Sequence, residues 1–279
     1  MPSLQVLRVF VRELVTSAGV PRTTEPDLVM DDPAKVAAYT RAGREDGVMA
    51  PVYLHHCAHI CQILRPGDVA VDLACGPATQ LAQVARLNPD IEFIGVDLSA
   101  PMLERARDHV RTLGLSNVSF REDDISVLDQ LQKQSADAVF STMALHHLPT
   151  ASHLEATFRR VDHILKPGGG LFLVDFARLK SPKSIDYFAY QYADRQPELF
   201  TLDYLYSLRA AFSVADFERA AAALDGRGKL YRTFGFPYMV AFKSPVRREL
   251  TPALLQSLRR IRDEMPQFQE RITALLAGE

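Results

Sequence analysis

Between Asp68 and Asp175 short apolar runs alternate with stretches of helical period, and no other feature limits the fold so strongly. The runs are Asp68–Leu73, Ile91–Val96, Asn117–Phe120, Ala136–Ser141 and Leu171–Asp175. Between them the apolar positions recur every three or four residues: Leu81, Val84 and Ala85, then Met102, Leu103, Ala106, Val110 and Leu113, then Leu154, Phe158, Val161 and Leu165. Ser99 is placed to cap the second of these helices and Gly114 to stop it. Lys166 to Gly170 reads as a turn into the fifth run. Short, nearly continuous apolar strands separated by helices mean βαβ units with right-handed crossovers and a parallel sheet buried on both faces. The predicted class is α/β, a doubly wound and mostly parallel sheet.

The flanks are different. Residues 1–64 read as helical, with a helix over about 3–18, a break from Gly19 to Pro26, a helix from Pro33 to about Glu45, and another from Pro51. After residue 178 the alternation stops. Residues 179–228 form a helical insertion rich in Tyr and Phe, and Lys229–Phe234 and Tyr238–Lys243 are two strands joined by Gly235-Phe236-Pro237, a C-terminal antiparallel hairpin. The expected division is therefore a helical segment 1–64, a core 65–178, a helical insertion 179–228, a hairpin 229–244 and a helical tail 245–279. In the tail Leu254, Leu255, Leu258 and Ile261 make an apolar face that meets either the body or a second copy of the chain.

A net charge of −2 argues against nonspecific capture of nucleic acid, and the pairs Arg159-Arg160, Arg247-Arg248 and Arg259-Arg260 read as scattered solvated faces. No apolar run approaches the ~18 residues needed to cross a bilayer, so no membrane span is expected. Arg8, Arg12 and Glu13 interrupt the first apolar stretch, which reads as an amphipathic helix rather than a signal peptide. Three cysteines without a disulfide framework suit a reducing, cytoplasmic setting. Cys57 and Cys61 share a helical face near His55, His56 and His59, but the apolar periodicity around them favours packing, and no metal is expected.

In a doubly wound sheet ligands bind beyond the carboxyl ends of the strands. Val71-Asp-Leu-Ala-Cys-Gly-Pro-Ala-Thr79 leads from the first strand into a helix, with small residues that let a nucleotide approach the backbone. It is neither Gly-x-Gly-x-x-Gly nor a phosphate loop, which argues against a pyrophosphate ligand and so against a nicotinamide-dependent oxidoreductase. Asp97 ends the second strand 25 residues beyond Asp72, the position and spacing of a carboxylate that accepts two ribose hydroxyls.

Taken together, these segments resemble the class I S-adenosylmethionine-dependent methyltransferases. Asp72-Leu-Ala-Cys-Gly76 is similar to their glycine-rich first motif, although Ala74 and Ala78 stand where glycine is usual. Asp97-Leu-Ser-Ala-Pro-Met102 resembles the ribose-binding second motif, Glu122-Asp-Asp-Ile125 the acidic turn after strand three, Phe140 to Pro149 the fourth motif, and Leu165 to Leu171 the turn before strand five. The resemblance covers about 110 residues in the right order. It implies a Rossmann-like fold, S-adenosyl-L-methionine as cofactor and S-adenosyl-L-homocysteine as product. It also implies a cofactor site of Asp72, Ala74, Cys75, Gly76, Asp97, Leu98, Met102, Asp124, Ile125 and Ser141, with Asp124 on the adenine amino group. Tyr39 would close over that site from the N-terminal segment. The expected acceptor is a small, partly apolar or aromatic molecule, with His146, His147 and Asp175 as candidate bases. Tyr53, Tyr187 and Tyr190 are the expected substrate contacts, the last two on one face of a helical lid. The competing reading is a noncatalytic binder of the same cofactor. Methylation of RNA or protein is disfavoured by the mild acidity and by the lack of an added binding domain.

Overall fold

The five apolar runs form strands close to their predicted places: β1 Val69–Leu73, β2 Glu92–Asp97, β3 Val118–Glu122, β4 Ala136–Thr142 and β5 Leu165–Phe176. The hairpin supplies β6 Lys229–Arg232 and β7 Met239–Lys243. This computed structural model describes residues 4–17, 19–26, 32, 34, 37 and 47–265. Most of the helix predicted from Pro33 to Glu45, Tyr39 included, lies outside the described residues.

The strands make one sheet in the order β3-β2-β1-β4-β5-β7-β6. All neighbours from β3 to β5 are parallel, and β7 runs antiparallel to both β5 and β6. The chain winds outward from β1 to β3, then returns to β4 on the other side of β1. That reversal opens a crevice at the carboxyl ends of β1 and β4, where such sheets bind ligands.

Alternating side chains serve opposite faces, as a pleated strand requires. Ala70, Phe93, Phe140 and Phe172 pack under α2 (Ala50–Ile63), α3 (Thr79–Leu87) and α4 (Ala100–Thr112). Val71, Leu73, Val139 and Leu173 pack under α5 (Ala151–Ile164) with Leu154, Phe158 and Val161. Ser99 caps its helix as predicted, Oγ accepting from Met102 N at 3.2 Å, and Thr150 Oγ1 likewise accepts from His153 N at 3.4 Å. Cys57 and Cys61 are fully buried within the first of these layers, in keeping with packing.

Two expectations change and one open alternative is decided. The stretch Lys166 to Gly170 is drawn into β5 instead of turning, with an irregular register opposite Ala136 and Ala138. Gly170 permits this, because a Cβ there would stand 2.3 Å from the Ile63 carbonyl oxygen. Arg247 and Arg248 are not solvated. Arg247 bonds Asp68 Oδ2 at 2.5 Å and the carbonyls of Ile63 and Asp137, while Arg248 bonds the Cys61 carbonyl and Asn88. The tail helix α9 (Pro252–Glu264) buries Leu254, Leu258 and Ile261 in the body beside α2 and leaves Leu255 37% exposed.

The insertion folds as α6 (Pro182–Tyr190), α7 (Glu198–Ala210) and α8 (Val214–Ala221). Ser213 and Asp216 cap α8 reciprocally. The N-terminal helix α1 (Leu4–Val15) reaches this layer, where both Glu13 oxygens accept from the backbone N–H groups of Lys180 and Ser181 and Val9 is buried with Met143 and Ile185. Among the described residues no helix is long and apolar enough to cross a membrane.

Candidate active site

Strand β1 leaves the sheet through Ala74-Cys-Gly-Pro-Ala78, a turn held in an unusual backbone conformation. Ala74, Gly76 and Ala78 have φ of 55°, 52° and 60°, the left-handed region that costs an alanine about 1–2 kcal/mol. The two alanines thus keep the shape of a glycine turn, and their departure from the motif is one of backbone strain as much as of added bulk. Asp97, at the end of β2, fixes the turn from below: Oδ2 accepts from Gly76 N at 2.8 Å and Oδ1 from Ser99 N at 2.9 Å. Its carboxylate is thereby aimed before any ligand arrives.

Asp72 lies beside it, 3% exposed. Burial first, and the neighbouring Asp97 carboxylate second, push its pKa well above the ordinary value. A cationic ligand would relieve that cost. The Cys75 thiol is pushed up mainly by burial and then by Asp72 and Asp97, which keeps it protonated and unreactive. Asp124 Oδ1 accepts from Ser126 N and Ser126 Oγ, locking the turn after β3, with Ile125 buried beside it. Leu98, just after β2, is an exposed apolar side chain, whereas Met102 on α4 is buried. Ser141 is spent on structure, because its hydroxyl donates to the Leu73 carbonyl at 2.9 Å and ties the ends of β4 and β1.

At the ends of β4 and β5 the chain builds a second set of groups. After Met143 (φ 57°) it makes a short 3₁₀ turn, Leu145–His147, which puts His146 against Asp175. Asp175 is fully buried; Oδ2 accepts from His146 N at 2.6 Å, and Oδ1 accepts from Phe176 N and meets His146 Nδ1 at 2.7 Å. With both Asp175 oxygens already accepting from backbone N–H groups, the contact with the ring assigns its hydrogen to Nδ1 and leaves Nε2 facing Glu25. Burial opposes a charged His146, yet the charge and hydrogen bond of Asp175, followed by Glu25 and Asp203, raise its pKa above the ordinary histidine value. His147 is driven well below that value by burial and then by His146. With three hydrogen bonds on its two oxygens, Asp175 acts as a positioning residue.

Two residues from the predicted break at Gly19–Pro26 complete this end. Arg22 donates to the carbonyls of Ala210, Pro149, His146 and Leu148 at 2.6–2.9 Å, and its guanidinium lies 4.0 Å over the Phe212 ring. Glu25 Oε1 stands 3.6 Å from His146 Nε2 and Oε2 stands 3.8 Å from His147 Nδ1. Nothing in the sequence marks either residue except two charges in a short stretch bracketed by Pro21 and Pro26.

Of the two tyrosines expected to contact substrate, Tyr187 is half-buried with its ring against Phe188, and Tyr190 is 48% exposed. The aromatics that the structure stacks toward His146 are others. Phe176 lies 5.5 Å from His146 between ring centres, Tyr204 and Tyr238 flank Phe176, and Phe188 stacks on Tyr238 at 4.2 Å. The hydroxyls of Tyr204 and Tyr238 share a hydrogen bond. Tyr53 is buried on α2, where its carbonyl accepts from Gln80 on the helix that follows the first turn. Sequence periodicity finds positions on one helix; it does not find a cluster assembled from β5, α6, α7 and the hairpin.

A family model for a methyltransferase domain matches residues 64–201. Over 124 residues the chain is 32% identical to the 27-O-demethylrifamycin SV methyltransferase of Amycolatopsis mediterranei, covering 44% of each chain. Over 145 residues it is 29% identical to the ubiquinone/menaquinone biosynthesis C-methyltransferase of Pseudomonas paraeruginosa, covering 50% of this chain and 55% of that protein. The match thus spans about half the length of these relatives. In fold the chain resembles the plantazolicin methyltransferase solved in complex with SAH, with a TM-score of 0.58, 14% identity, and coverage of 85% of this chain and 88% of that one. With the ordered turns at residues 72–78, 97–102, 122–125 and 140–149 on one edge of a doubly wound sheet, the chain belongs to the class I S-adenosylmethionine-dependent methyltransferase family.

Proposed function

We propose that the chain transfers a methyl group from S-adenosylmethionine, in line, to a small, partly apolar or aromatic acceptor that carries an ionisable hydroxyl or enol. The observation that carries this reading is the division of one sheet edge into two chemistries. Pre-aimed carboxylates stand at the ends of β1 and β2, and a Glu25–His146–His147 mouth lies at the ends of β4 and β5. The donor set suits the cofactor. Asp97 would accept the ribose hydroxyls, and Asp72, buried where its own charge is costly, would take the cationic amine. Leu98, Met102, Asp124 and Ile125 would hold the adenine, with Ala74, Cys75 and Gly76 along the backbone path.

When bound, S-adenosylmethionine supplies a sulfonium methyl whose C–S bond breaks toward sulfur as the acceptor's lone pair forms the new bond. The chain's own contribution is alignment and exclusion of water, the main sources of rate in such a transfer. The acceptor's proton is handled at the mouth, where Asp175 holds the His146 ring in place. Helices α6 and α7 and residues 19–26 cover the site, and the Phe176, Tyr204 and Tyr238 cluster gives the acceptor an aromatic wall. Relatives named for rifamycin and quinone biosynthesis support an acceptor of this size and character.

Calorimetric titration with S-adenosylhomocysteine tests the reading. Saturable one-to-one binding is expected, and no heat from a folded sample would refute it. In Asp97→Asn, which keeps the side-chain shape, affinity should fall by about 10–100-fold through the loss of charge-assisted hydrogen bonds.

A further inference from the structure

We infer that Glu25, His146 and His147 form a binding site for a divalent transition-metal ion, held at the mouth where the acceptor enters. Each residue offers one ligand atom, and the three atoms lie within 4.8 Å of one another. The Glu25 oxygens stand 3.6 and 3.8 Å from the two histidine nitrogens, too far for direct hydrogen bonds. Two ligands sharing one ion with bonds of ~2.0–2.2 Å lie ~3.3–3.6 Å apart in a tetrahedral arrangement; the two carboxylate–histidine gaps stand at or just beyond that range, and the two histidine nitrogens lie within 4.8 Å of each other.

The surroundings prepare these atoms for a metal. Asp175 takes the His146 Nδ1 hydrogen at 2.7 Å and so turns the Nε2 lone pair toward Glu25, the outer-shell carboxylate that metal-binding histidines require. Ser207 Oγ donates to Glu25 Oε1 at 2.8 Å and orients that carboxylate in turn. Arg22, three residues before Glu25, anchors the segment through four backbone carbonyls, including that of His146 itself. The ligands therefore come from two distant parts of the chain that one arginine clamps together.

Two imidazoles and one carboxylate select a first-row ion such as zinc, cobalt, nickel or iron(II) over magnesium or calcium, which prefer oxygen alone. Three protein ligands leave coordination positions for a substrate oxygen. An acceptor hydroxyl or enol bound there would lose its proton more easily, and the resulting anion would attack the methyl group. This role rests on the methyl-transfer reading, whereas occupancy by metal does not.

The test uses the full chain after chelation, titrated with cobalt(II) and followed by its visible absorption, and with zinc by calorimetry. One ion per chain is expected. Affinity should drop at least tenfold in Glu25→Gln and in His147→Ala, and by roughly 10–100-fold in Asp175→Asn. Metal-free wild type and both ligand variants should bind S-adenosylhomocysteine alike, which reports that the cofactor half is folded. Wild type that binds no cobalt while still binding S-adenosylhomocysteine would overturn the metal site and leave methyl transfer standing. Stoichiometric metal binding that neither ligand substitution weakens would overturn it as well. Metal binding without S-adenosylhomocysteine binding would support the site and refute the transfer.

Discussion

At Ala74 and Ala78 a side chain occupies backbone space that normally belongs to glycine, and the two alanines should respond differently to its removal. Ala74 is partly exposed, so Ala74→Gly relieves left-handed strain and loses little packing. The gain, set against the larger unfolded-state entropy of glycine, is about 0.5 kcal/mol. Ala78 is fully buried, and deleting its methyl forfeits up to ~0.8 kcal/mol of burial, so Ala78→Gly should come out near neutral. Urea denaturation of both variants checks this; a clear loss of stability in Ala74→Gly would mean that the turn carries no strain. The motif itself is legible in the sequence, because a carboxylate, small residues and a helix start have fixed spacing. Its left-handed alanines are not, since an alanine in a sequence looks the same whatever its φ.

Among the elements, the 3₁₀ turn Leu145–His147 depends on a residue more than 120 positions away. Arg22 satisfies three carbonyls of this turn and the residues just after it, and a fourth, that of Ala210, at the end of α7. Arg22→Ala should cost about 2–3 kcal/mol, the scale for stranding buried acceptors of a charged donor. Hydrogen exchange at residues 145–150 should quicken in that variant. Lys at this position should not restore protection, because an ammonium lacks the planar fork that reaches several carbonyls at once. Protection unchanged in Arg22→Ala would show that β4 and β5 hold the turn by themselves. The sequence made the His146-His147 turn visible and left Arg22 and Glu25 inside a stretch that reads only as a break. Long-range pairing leaves no local period, so helix and strand patterns say nothing about which loop closes over which turn.

Across the whole molecule, a line of charges ties the C-terminal segment to the floor of the sheet. Arg247 pairs with Asp68, and Lys166 pairs with Asp137, whose other contacts are Val69 N and the Arg247 charge. Burial opposes ionisation of Asp137, but the Lys166 hydrogen bond, the Val69 N–H and the two cations outweigh it and lower its pKa from the ordinary 3.8. A lowered carboxylate adds stability above its unfolded pKa and loses that stability as pH falls through the folded value. The chain should therefore lose melting temperature as pH drops below about 4, and Asp137→Asn should flatten that part of the profile. Equal acid slopes in the two proteins would refute the assignment. The same line of charges explains why Arg247 misleads a reading by composition: a paired arginine and a solvated one are identical letters.

The sequence by itself determined the sheet, its direction, its flanking helices and the edge that carries Asp72 and Asp97. Each of these rests on apolar period or on motif spacing, and both are local properties of the chain. It left open whether the tail helix covers the body or a partner, and it placed the aromatic lid on one helix face. Tertiary structure decided both, turning Leu254, Leu258 and Ile261 inward and assembling Phe176, Tyr204 and Tyr238 from three elements. It also decided the Glu25–His146–His147 cluster, because Glu25 meets the two histidines only after residues 19–26 reach the turn that follows β4. A contact between residues about 120 apart is made by the path of the backbone, and no window of sequence contains it.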